Sequence, residues 1–157
     1  MSGQPHSSRR RRLVAGMAGS LALPAVLIPR RAQAKFSIID PMIWSVTKGR
    51  QMERGRIRLE LPPLADNGNS VAMKVSVASP MTDADHVKAI HLISEKNPVR
   101  SIASFYIGPS AGRAEIVSRV RLAGSQEVLA IAELSDGSFW YDIADIVVTL
   151  SACLDEP

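Results

Sequence analysis

From residue 56 onward, apolar and polar side chains alternate along most of the chain. In RIRLEL, Ile57, Leu59 and Leu61 alternate with Arg56, Arg58 and Glu60, the period of a strand buried on one face. The same period returns over Val71 to Ser79, where Pro80 stops it. Val87 to Ser94 is the next predicted strand. That stretch also has helical potential, but the flanking Pro80 and Pro98 and its β-branched content favour a strand. Further strands are predicted at Ser101 to Ile107, Arg113 to Leu122, Glu127 to Leu134 and Phe139 to Leu150, the last with an interruption near Asp142 to Asp145. Asp136-Gly137 predicts a tight hairpin. Ala65 to Asn69 reads as a turn cluster and MTDADH as a loop. Upstream, FSIIDPMIWSVT predicts a short helix within Phe36 to Thr47, with Asp40 as N-cap and Pro41 at the first helical position. Lys48 to Gly55 is polar and loop-like. About seven strands, with turn signals every eight to twelve residues or so, predict an all-β, antiparallel β-sandwich preceded by a short N-terminal helix.

Composition refines this picture. The 157 residues suffice for one domain, and 46% apolar content suffices for its core. Only 4% of residues are aromatic, so that core is aliphatic. The formal charge of +4 invites a nucleic-acid partner, until the charges are located. Residues 1–34 hold six arginines and no acid, which leaves 13 basic residues against 15 acidic ones in the rest. The domain itself is slightly acidic, and no nucleic-acid partner is expected.

The basic segment has the layout of an export signal. A block ending at Arg12 is followed by an apolar run, Leu13 to Ile28, and then by Ala32-Gln33-Ala34, a small-x-small cleavage pattern. Pro24 interrupts the run, which falls short of the ~20 residues that cross a bilayer. Arg10 and Arg11, followed by Arg12-Leu13-Val14, fit the twin-arginine pattern. The expectation is Tat export to a bacterial periplasm, cleavage after Ala34, and no membrane attachment afterwards. An uncleaved anchor or a plain Sec signal fits less well, because the run is only mildly apolar. The chain then divides into a signal peptide (1–34), a sandwich domain (35–150) and a C-terminal tail (151–157). In an oxidising compartment the single cysteine, Cys153, stands out: it must be buried, joined to another chain, or reactive.

Other candidate chemistry is sparse. His86 and His91 are five residues apart, which puts them on opposite faces of a strand and off-face on a helix, so a shared metal is not expected. No CxxC, CxxCH, HExxH, GxSxG or glycine-rich phosphate loop occurs, so no cofactor and no metal are expected. Arg119 and Arg121 alternate with Val120 and Leu122 and read as a solvated strand face, with the steering of anions as a minority reading. Trp140-Tyr141 reads as core or interface, and Asp66-Asn67-Gly68 as a turn.

Four stretches in order carry a family resemblance: LELPPLADNGNSV (59–71), DHVKAIHLISEKNPV (85–99), SRVRLAGSQEVLAIAELSDGSFW (118–140), and a final β-type segment leading to a near-terminal cysteine. Together with the twin-arginine signal, they resemble the SoxY family, the carrier subunits of thiosulfate-oxidising systems. The likeness covers about Arg56 to Cys153. It implies an immunoglobulin-like sandwich that pairs with a SoxZ-like subunit as a heterodimer. It implies a carrier and not an enzyme, with Cys153 as the covalent attachment site for sulfur. Sox cytochromes and a sulfate-releasing hydrolase would be the transient partners.

The tail departs from the family pattern. Where the family has glycines on both sides of its cysteine, this chain has Ser151-Ala152-Cys153-Leu154-Asp155-Glu156-Pro157. Leu154 is bulky for a narrow cleft, and Asp155 and Glu156 disfavour a thiolate and repel anionic cargo. Ala72 also stands where the family usually has proline. Three readings follow. The first is a working sulfur carrier. The second is a degenerate SoxY-like protein that still pairs with a SoxZ-like partner but serves another pathway or carries no sulfur. The third, a small thiol enzyme, is weakest, since the tail has no Lys, Arg or His to activate the thiol.

Overall fold

A computed structural model describes Phe36 and residues 40–151, all within one unit, Gln33–Pro157. Among these residues there is one α-helix, α1 (Pro41–Thr47), and nine strands. The strands are β1 (Met52–Glu53), β2 (Ile57–Glu60), β3 (Leu64–Asn67), β4 (Val71–Val77), β5 (Val87–Ser94), β6 (Ser101–Tyr106), β7 (Glu115–Val120), β8 (Gln126–Leu134) and β9 (Phe139–Leu150). They form two sheets. The larger runs β1-β9-β8-β5-β6, with β3 also on β9; the smaller runs β2-β4-β7.

The main core lies between the sheets. Ile57, Leu59, Met73 and Val75 of the small sheet face Ile90, Leu92, Ala130 and Ile146 of the large one. β5 and β8 are buried along nearly their whole length. Such continuous burial requires cover on both faces. The second cover includes α1, whose Ile43 packs with Ile93, Leu129, Ile131 and Phe139 in a separate cluster. Asp40 starts the helix as predicted: its Oδ1 accepts from the Met42 amide at 2.9 Å. Its Oδ2 pairs with Arg100 at 2.7 Å, which ties the helix start to the segment before β6. VKAIHLIS is a strand, not a helix. Asp136-Gly137 makes the β8–β9 hairpin, with Gly137 at φ 81°, where a side chain would be strained.

Three local expectations are corrected. First, β9 is continuous through Asp142 to Asp145. β8 pairs with it residue by residue from Phe139 to Ile146, so no gap opens at the two acids. Second, the Lys48 to Gly55 loop contains β1, which pairs parallel with the start of β9 (Met52 opposite Phe139). Third, the turn cluster at Ala65 begins as β3, parallel to the end of β9 (Leu64 opposite Val147, Asn67 opposite Leu150). The sandwich is antiparallel apart from these two short pairings.

The sandwich has two unlike sides. Between β2 and β9 the sheets are stitched together: Asp142 Oδ2 accepts from the Leu59 amide at 2.9 Å, and Oδ1 accepts from the Ile143 amide at 2.9 Å. On the other side lie the outer edges of β6 and β7, which pair with no strand among the described residues.

Candidate functional site

β9 ends at Leu150, and several bonds fix that end. The Gly68 amide donates to the Leu150 carbonyl at 2.8 Å. Thr149 Oγ1 donates to the Asp66 carbonyl at 2.7 Å. Val148 exchanges two bonds with the Ser125 hydroxyl, at 2.9 and 3.3 Å. Gly124, at φ 155°, sits so close that a Cβ there would lie 3.3 Å from Ser151 Oγ. The root of the C-terminal tail is therefore held on three sides.

That root adjoins a groove between β6 and β7. The Gly68 carbonyl accepts from the Leu122 amide at 2.9 Å. The next residue, Asn69, accepts from Arg121 Nη2 at 3.0 Å, and Ser70 accepts from Arg119 Nη1 through its carbonyl (3.3 Å) and its hydroxyl (3.2 Å). Asn97 bridges the same corner: its Nδ2 donates to the Arg121 carbonyl at 2.8 Å, and its Oδ1 accepts from the Ala123 amide at 2.9 Å. The groove is about 370 Å³. Val99, Ile102 and Phe105 form one wall, and Arg119, Val120 and Arg121 form the other. Its described lining contains no acid.

The residues singled out from sequence fare differently. Cys153, Arg10, Arg11, Ala32 and Ala34 lie outside the described residues. Arg119 lies on β7 as expected, whereas Arg121 falls just past its end at Val120; both stand at the rim of a groove and not on a plain strand face. His86 and His91 are not brought together. His86 Nδ1 meets the Thr82 carbonyl at 3.1 Å, while His91 Nδ1 meets Ser104 Oγ at 2.8 Å. Burial lowers the His91 pKa, with Glu133 pulling the other way. Among the described residues no group of three His, Cys, Asp or Glu could hold a metal, and no helix is long and apolar enough to cross a membrane. Trp140 and Tyr141 are half-buried, under Arg56 (5.8 Å) and Arg54 (4.9 Å) respectively. Asn97 was not singled out from sequence as a site residue.

The described residues form a two-sheet sandwich whose last strand, β9, ends beside a basic groove. The chain belongs to the SoxY family of sulfur oxidation proteins, whose family model matches residues 45–153. Members of that family are sulfur carriers in sulfur oxidation, not enzymes. The fold is similar to the sulfur carrier protein SoxY of Chlorobium limicola f thiosulfatophilum, at TM-score 0.58 and 20% identity over 69% of this chain and 94% of that one. It is also similar to a superoxide reductase (neelaredoxin) of Ignicoccus hospitalis, at TM-score 0.54 and 17% identity over 60% and 80% of the two chains. A superoxide reductase of Nanoarchaeum equitans matches at TM-score 0.52 and 12% identity over 61% and 100%. No curated protein matches the chain in sequence. At these identities the structural likenesses concern the fold alone.

Proposed function

We propose that the chain is a periplasmic carrier that holds sulfur intermediates covalently on Cys153 and works as a complex with a SoxZ-like subunit. The observation that carries this reading is the end of β9. The last described strand stops at Leu150, so the cysteine comes three residues after a firmly held root. The family match runs through the same cysteine. A thiol beyond the last strand can be offered to enzymes while the sandwich binds its partner through other surfaces.

The chemistry asks little of the sandwich. A thiolate couples to the sulfane sulfur of thiosulfate, and the electron pair released passes to a redox partner. A hydrolase then removes sulfate. The sandwich supplies a fixed origin for the tail. The test is intact-mass measurement after incubation with thiosulfate and the Sox enzymes. The expected result is a mass increase on wild type and none on Cys153→Ser. An unmodified wild type would refute the reading.

A second reading keeps the partner and drops the cargo. Leu154, Asp155 and Glu156 favour it, since glycines would leave more room beside the sulfur. The same assay separates the two readings. If wild type stays bare while a tail with glycines at Ser151, Ala152, Leu154 and Asp155, ended there, is loaded, the family chemistry is intact in the body and lost in the tail.

A further inference from the structure

The β6–β7 groove and the root of the tail at Leu150 and Ser151 meet at one corner of the described residues, and the groove's chemistry complements the tail's sequence. Arg121 and Asn97 stand at the groove's near end, one hydrogen bond from Asn69 and Ala123. Those two residues neighbour Gly68 and Gly124, which touch Leu150 and Ser151. The bonds of Arg119 and Arg121 described above go to uncharged groups, and a guanidinium has five donors. Val99 is 73% exposed, and Ile102 and Phe105 are only partly buried, so the apolar wall lacks full cover. The tail offers one large apolar side chain, Leu154, followed by two acids, Asp155 and Glu156. An extended chain advances about 3.3–3.6 Å per residue, so Leu154 reaches ~10 Å and Glu156 ~17 Å from Ser151.

We propose that residues Cys153 to Glu156 dock in the β6–β7 groove of the same chain. Leu154 covers the wall of Val99, Ile102 and Phe105. Asp155 and Glu156 pair with Arg119 and Arg121. Docking shields the neighbouring thiol and restrains it against the edge of β7. Leu154, Asp155 and Glu156, which the groove receives, are among the residues that set this tail apart from a glycine arm. Such a contact is weak and salt-sensitive, because its ion pairs lie at the surface. Anything that occupies the arginines, such as an anionic partner, releases the thiol. The inference does not depend on what Cys153 carries.

The rate of Cys153 alkylation by iodoacetamide, an uncharged reagent, followed by intact mass, tests it. Raising the salt from about 0.02 M to about 0.5 M should speed the wild-type reaction roughly fivefold, as expected for two screened surface pairs. The double variant Arg119→Gln/Arg121→Gln should react at the high-salt rate in low salt and lose the salt dependence. The sign is diagnostic. Without docking, guanidinium groups near the thiol only favour its reactive thiolate, so removing them would slow the reaction.

Backbone amide resonances give a second measurement that needs no arginine variant. Those of Ile102, Phe105 and Val120 should shift when the chain is ended at Ser151, and shift the same way in Asp155→Asn/Glu156→Gln. An arginine variant that reacts no faster than wild type overturns the proposal. So do shifts confined to Gly68 and Gly124. Shifts that grow with protein concentration would put a second copy in the groove and overturn it as well.

Discussion

Asp40 caps α1 and pairs with Arg100, and the second role requires its charge. Burial raises its pKa; the hydrogen bond from Arg100, the amides at the helix start and the Arg100 charge outweigh burial and hold it below the ordinary value of 3.8. A depressed carboxyl contributes stability above 3.8 that is lost as pH falls through the lower folded value. Asp40→Ala should cost about 1 kcal/mol at neutral pH. Urea midpoints of variant and wild type should converge as the pH drops below 3.8. His91 behaves with the same sign for another reason. Its ring is half-buried against Ser104 and edge-on to Tyr106 at 6.2 Å, so the fold favours the neutral form. Its contribution is present above the ordinary value of 6.5 and lost as pH falls through the folded value. His91→Gln should flatten the stability profile below 6.5, read as the wild-type-minus-variant difference in urea midpoint across the pH series. The Asp40 cap could be read from DPMI, because capping is local. The Arg100 pairing could not, because it joins residues sixty apart in sequence, and no periodicity reports on that.

Asp142 shows how an element can be misread when its side chains are judged by polarity. Two acids in a strand suggest a break, yet β9 runs through them because Asp142 points to the other sheet and accepts the Leu59 amide. Asp142→Ala should leave that amide without its acceptor and cost about 1–3 kcal/mol in urea unfolding. Asp142→Asn, which keeps an acceptor, should cost less. The long strands were readable from period two or from continuous apolar runs. VLAIA in β8 is apolar throughout because sheet and helix cover opposite faces. β1 and β3 were not readable. They are two and four residues long, mostly exposed, and held by parallel pairing to a strand far along the chain. The groove escaped for a related reason: its walls come from β6 and β7, which do not pair with each other.

At the scale of the whole molecule, charge and topology separate three tasks. The basic residues in excess belong to residues 1–34, so the exported protein should start at Lys35 and carry a net charge of −2. N-terminal sequencing of periplasmic material checks this, and a start at Met1 would refute it. Pairing with a SoxZ-like subunit should survive removal of the tail, because the residues that carry the family match begin at 45 and lie mostly in the sandwich. A chain ended at Leu150 and the full-length chain, each co-expressed with the partner, should elute at the same heterodimer size after allowance for the missing residues. Loss of pairing on truncation would assign the tail a structural role instead.

β9 has one further property, which is mechanical. It is hydrogen-bonded to β8 along most of one edge, and to β1 and β3 at opposite ends of the other. A pull on the residues after Ser151 runs along β9 and loads those bonds in shear, all together, instead of peeling them one by one. In the proposed carrier role, a force applied to the tail by an enzyme would meet this shear resistance at β9. The domain would then act as an anchor post, and the work of withdrawing the thiol from a cleft would not be dissipated in its core.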